Sequence, residues 1–257
     1  MLILKFTLVP LFLLIISMSG KWWGPTVAGW LSGLPVVAGP ILFLLAATHG
    51  HEFGVQAATL SLSAILASEA FNFAYAWSCR SVDWPLCVAK GLGAWLIAAI
   101  ALAMLPTTPV YAMIAAIFAV AFGQTFLPRS APIMARSAVL TRTNLAGRMI
   151  AGAALTVFIT ALSSLLGAKW SGLLAVFPLL GIILAASSHR LHGPEFVISL
   201  LRGMVLGRFS FAAFCLCLIF ALPKQTIGVA FAEASALAIV IQGVTMRLTR
   251  DTREIRR

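Results

Sequence analysis

His-Gly-His-Glu-Phe at residues 49–53 returns as His-Gly-Pro-Glu-Phe at 192–196, a shift of 143 that also carries Pro35 onto Pro178. Upstream of each copy, GKWWGPTVAGWLSGLP resembles GAKWSGLLAVFP once a short insertion in the first is allowed. Self-similarity at a fixed shift is the mark of a duplicated unit. His49, Gly50, Glu52 and Phe53 match His192, Gly193, Glu195 and Phe196, while His51 becomes Pro194. Two histidines and a glutamate this close invite a metal reading. However, His49 and His51 stand two apart and do not share a helical face, and the second copy lacks the second histidine. A repeated turn explains the pattern better. Gly50 and Gly193 suit the end of one helix, where a residue without Cβ can take the left-handed conformation. Glu52 and Glu195 fall in the first turn of the next helix, where a carboxylate complements the helix dipole, and Pro194 suits a first helical position. No metal and no cofactor is expected.

The surrounding composition sets the solvent. With 61% hydrophobic and 10% charged residues, the chain lies far from a soluble domain, where about a quarter of residues are charged. A hydrocarbon core of about 30 Å needs about 20 apolar residues in a helix. On that rule the chain is all-α and polytopic, with about nine transmembrane helices. They run from Leu2 to Ser19, Thr26 to Thr48, Glu52 to Cys79, Trp84 to Leu105 and Pro109 to Leu127, then Gly147 to Leu166, Trp170 to Ser188, Glu195 to Leu222 and Gln225 to Leu248. The first ends in SMSGK, which imitates a signal-peptide cleavage site, but Lys5 alone is a poor charged n-region and the segment is read as retained. Cys79, Cys87, Cys215 and Cys217 show no metal-ligand spacing and are read as reduced packing residues.

Basic residues orient the chain. Under the nine-helix reading twelve of them, among them Arg80, Arg129, Arg148, Arg190 and Arg247, fall on one side, against Lys5, Lys169 and Lys224 on the other. The richer side is expected to be cytoplasmic, with the N-terminus outside and the C-terminus inside. Trp22, Trp23, Trp84 and Trp170 fit as interface anchors. The formal charge of +11 is thereby explained without nucleic acid. Residues 1–107 form a first four-helix repeat, 108–128 a linking helix, 129–146 a basic linker, 147–249 the second repeat and 250–257 a basic tail. Five helices precede the second copy. An odd number inverts it, so two homologous units of opposite topology are expected, as in secondary transporters.

Ionisable groups inside the membrane are costly and are functional candidates by default. Glu69 and Glu233 lie near the middle of their helices, and the repeat shift superposes Lys90 on Glu233, so these two are candidates to meet across a pseudo-two-fold axis. Arg208 is too deep to reach water and needs a partner such as Glu69, or a cavity. Asn72 shares a helix face with Glu69. Glu69, Asn72, Lys90, Arg208 and Glu233 are therefore the candidate substrate or ion-binding residues, against the alternative of charge-paired packing. Gly33, Pro35 and Gly39, with Pro178 and Gly181 in the second copy, are candidate helix breaks, since proline removes a helical hydrogen bond. Matching interruptions in two halves point to a central binding site. Close packing of small residues is the alternative.

The stretch SGLLAVFPLLGIILAASSHRLHGPEFVISLLRGMVLGRFSFAAF, with Gly172, Phe177 and Pro178, resembles the small four-helix GlpM-like membrane proteins. The resemblance covers the second half best; the first half has Leu34 before Pro35. It implies an inner-membrane location and a link to exopolysaccharide production. The overall plan is similar to the inverted repeats of drug/metabolite transporters, an analogy of fold. No catalytic constellation is present: HExxH, GxSxG and GxxxxGK[ST] are all missing. The expected function is a secondary transporter or flippase, of an anionic solute if the deep arginine faces a cavity. The alternative is an accessory subunit of an envelope or exopolysaccharide assembly. Expected partners are the bilayer and a small solute or lipid, with a homodimer left open.

Overall fold

The computed structural model describes residues 2–106, 108–131, 141–175 and 177–254, with side chains in 9–106, 108–131, 141–158 and 177–247. The described residues form eleven helices: α1 Leu2–Trp23, α2 Pro25–Leu31, α3 Ala38–His49, α4 His51–Ser63, α5 Ile65–Ser78, α6 Trp84–Met104, α7 Pro109–Phe126, α8 Arg142–Ala175, α9 Leu179–His192, α10 Pro194–Ala221 and α11 Ile227–Glu254. Five stretches are long and apolar enough to cross a membrane: His51–Ser78, which joins α4 and α5, together with α6, α7, α10 and Ile227–Arg247 of α11. They coincide with the expected third, fourth, fifth, eighth and ninth segments. The chain is a helical membrane protein. Half of the basic linker, residues 132–140, lies outside the described residues; Gly172 falls where only the backbone is described, and no side chain of the tail is described.

The expected second and seventh segments are not single helices. Between α2 and α3 the backbone tightens, Gly33 N–H donating to Trp30 O and Leu34 N–H to Leu31 O, three residues back rather than four. Pro35 lacks the N–H to continue. In the second half, α8 runs unbroken through the turn expected between Leu166 and Trp170, and the chain breaks instead at Phe177 and Pro178. A proline after a long helix ends it at the residue before.

α10 is the axis of the fold, with α2, α4, α5, α7, α9 and α11 packed around it. Its direction is fixed by contacts at both ends. At its start, Glu195 receives Arg80 from just beyond α5 (2.8 Å). At its far end, Leu222 lies against Gly54 at the start of α4. The α4–α5 span and α10 are therefore antiparallel, and the turns at 49–51 and 192–194 sit at opposite ends of the bundle. Outward faces are apolar: Ile97, Ile117 and Ile239 are 72%, 62% and 66% exposed. Such a surface suits hydrocarbon.

Candidate functional site

The repeated phrase builds a helix corner. Gly50 (φ 90°, ψ 174°) and Gly193 (φ 83°, ψ 179°) take a positive φ as expected, but with an extended ψ rather than the left-handed helical one, a region in which any side chain is strained. The histidine before each glycine stacks on the phenylalanine four residues later, His49 on Phe53 at 4.6 Å and His192 on Phe196 at 4.3 Å. Two aromatic lids thus cover two equivalent corners. Among the described residues no three His, Cys, Asp or Glu side chains converge as a metal site would require. The glutamates have diverged. Glu195 takes Nε and Nη2 of Arg80 at 2.8 and 3.0 Å and the Ala131 N–H at 2.6 Å, and this bond to Glu195 is the main cause that raises Arg80 above its ordinary pKa. Glu52 stays exposed in the first turn of α4.

The deep charges meet as anticipated. Arg208, fourteen residues into α10, donates from Nε to Glu69 Oε1 of α5 at 2.8 Å; their side chains are 16% and 4% exposed. Asn72, one turn on, donates from Nδ2 to both oxygens of Glu69 at 3.1 Å. This leaves the buried Asn72 Oδ1 with no hydrogen-bond partner, facing Gly181 of α9. Glu69 Oε2 faces Gly123 of α7. Beside the pair is a cavity of about 80 Å³ lined by Gly33 and Leu34 from the first interruption, Phe177 and Pro178 from the second, Gly181 of α9, and Arg208. It has room for roughly two to three water molecules. Breaks 143 residues apart in sequence thus border one space that a guanidinium reaches. Gly39 and Gly181 are not breaks: Gly39 lies within α3 against Phe214 and Gly181 within α9, because glycine weakens a helix without removing a donor as proline does.

No family model, curated protein or solved structure matches this chain. Its chemistry must be read from its own geometry.

Lys90 and Glu233 do not meet. Both are exposed, and Glu233 accepts a hydrogen bond from Gln225 Nε2 at 3.0 Å. The cause is topological: α6 packs mainly on α5 and α9, and α11 on α10 and α3, so the two helices are not neighbours. The partner of the small residues and the depth of Arg148 escaped the sequence reading. Gly29 of α2 faces the Leu200 and Met204 backbone of α10, Gly203 faces the Thr26 backbone, and Gly33, just beyond α2, meets Gly207 so closely that a Cβ on either would overlap the opposite backbone. Gly-x-x-x-Gly in both GWLSG and GMVLG was the available signal. Arg148, counted with the linker, lies two turns inside α8 and is 5% exposed.

Proposed function

We propose that this protein is a carrier of the inner membrane, N-terminus outside and C-terminus cytoplasmic, which moves a small anionic solute or lipid-linked molecule by alternating access. The observation that carries this reading is the convergence of two helix breaks, one from each copy of the repeat, on a cavity reached by Arg208. Freed carbonyls at a break need a partner or a wet space, and a planar guanidinium is suited to carboxylate or phosphate. The opposite placement of the two repeated turns supports an inverted repeat, and with it the count of nine crossings. The likeness to GlpM-like proteins at Gly172, Phe177 and Pro178 remains part of the same proposal, as does the absence of catalysis.

In this mechanism Glu69 holds Arg208 while the site is empty, and the solute competes with that carboxylate for the guanidinium. Asn72 keeps Glu69 oriented. The breaks at residues 32–37 and 177–178 absorb the bending as the site opens to one side and then the other. A cavity of about 80 Å³ is then a closed state, too tight for a metabolite.

One observation favours the alternative of a non-transporting accessory subunit: the pair is well made and sealed, as a purely structural contact would be. The double substitution Glu69→Leu with Arg208→Leu separates the two readings. Replacing both buried charges by apolar side chains is often neutral or stabilising. A carrier so altered keeps its stability and loses all anion uptake into proteoliposomes. Unchanged uptake of every anion that the native protein accumulates would refute a role for the pair in transport.

A further inference from the structure

Arg148 buries a charge without an acidic partner among the described residues. Its Nη1 donates to Ser17 Oγ of α1 at 2.9 Å and its Nη2 to Ser188 Oγ of α9 at 3.4 Å, and its Nε has no acceptor. Serine hydroxyls do not neutralise a guanidinium, and an uncompensated buried charge is among the most costly arrangements in a protein. Arg148 lines a cavity of about 660 Å³ between α8 and α9, within the size range of ligand sites, and none of the described residues lining it is Asp or Glu. The cavity shares no residue with the Glu69–Arg208 centre.

The lining has a polar end and an apolar shaft. Asn144, Arg148 and Arg190 stand at one end with Trp84, and Leu155, Ile182 and Phe158 continue it. From Thr143 to Phe158 the groove follows α8 for roughly 22 Å at 1.5 Å per residue. Phe158 is 61% exposed, so the shaft opens sideways on the outward face rather than into the bundle. The polar end lies at the arginine-bearing end of the molecule: Tyr75 bonds His189, two residues before Leu191 at the groove, and Arg80 bonds Glu195 just beyond it. A cationic head site that continues into an apolar lateral groove matches an amphiphile with an anionic phosphate head.

We infer that the α8–α9 groove is a binding site for an anionic phospholipid, whose phosphate bonds Arg148 and Arg190 while one acyl chain lies along Leu155 and Phe158. It is distinct from the transport site and does not depend on transport. The purified full-length protein in a neutral detergent is titrated with phosphatidylglycerol, phosphatidylcholine or inorganic phosphate, and bound adducts are counted by native mass spectrometry. Phosphatidylglycerol is expected to be retained roughly tenfold more tightly than phosphatidylcholine, the scale of one charge-assisted contact. Arg190→Gln, at an exposed position, and Arg148→Gln both remove that preference. Ala154→Trp, which fills the shaft and leaves the charges, weakens both lipids. If inorganic phosphate displaces the lipid at equal concentration and Ala154→Trp has no effect, the site takes a soluble anion and the proposal fails. Equal retention of the two lipids, or an Arg190→Gln protein that still prefers phosphatidylglycerol, also overturns it.

Discussion

Two arginine–carboxylate pairs share a 2.8 Å contact but stand in unlike surroundings. The Arg80 and Glu195 side chains are 47% and 28% exposed, those of Arg208 and Glu69 only 16% and 4%. In the first, solvent screens the attraction and the net contribution is about 0–1 kcal/mol. In the second, removal of one partner leaves the other charge buried and unpaired, at a cost of about 3–5 kcal/mol. Arg80→Ala should therefore scarcely change the unfolding midpoint in detergent, whereas Glu69→Leu alone should lower it steeply. Comparable losses from both would mean that the inner pair is as well hydrated as the outer one. The Glu69–Arg208 contact was legible in the sequence because depth alone demands a partner for a buried guanidinium. The Lys90–Glu233 contact was not a sound inference, and the reason is general. A repeat shift identifies equivalent positions in two units, and equivalence under a pseudo-symmetry says nothing about contact unless the positions lie near the axis.

At the scale of elements, the helices follow from apolar run length, while their interruptions follow from single residues. Pro35 and Pro178 were legible as breaks, and both breaks occur. The expected turn at residues 167–169 did not appear in the backbone, because glycine and lysine weaken a helix without forbidding it whereas proline removes a donor. The association of α2 with α10 was hidden for a different reason: small residues signal close approach without naming the partner. That packing gives a sharp expectation. Gly207 faces the α2 backbone, whereas Gly228 has open space where a Cβ would stand. Gly207→Ala should cost at least the roughly 1–3 kcal/mol of an overpacked core. Gly228→Ala, in the first turn of α11, should be neutral or slightly stabilising through helix propensity. Thermal unfolding of the two variants in one detergent measures the difference, and equal midpoints would argue against tight α2–α10 contact.

For the whole molecule, the decisive quantity is which end each turn occupies. The α4–α5 span runs antiparallel to α10, so a cysteine at exposed His51 and one at exposed Arg190 should react with a membrane-impermeant maleimide from opposite sides of the membrane. Labelling from the same side would remove the inverted repeat and the main support for transport. All-helical character and membrane residence were legible from composition alone, because the bilayer permits few alternatives. The proposed duplication rests on four matching residues in one phrase. The arrangement of the halves was not, because it depends on contacts made far apart in sequence, and the most intimate of these has a consequence for biogenesis. The glycine face of α2 leaves the ribosome about 170 residues ahead of its counterpart on α10, a wait of roughly ten to thirty seconds at ordinary synthesis rates. During that interval α2 has no permanent neighbour on its closest-fitting side. A nascent chain of this design needs a temporary companion in the insertion machinery, and the first half expressed alone should be a substrate for membrane proteolysis until the second half is supplied.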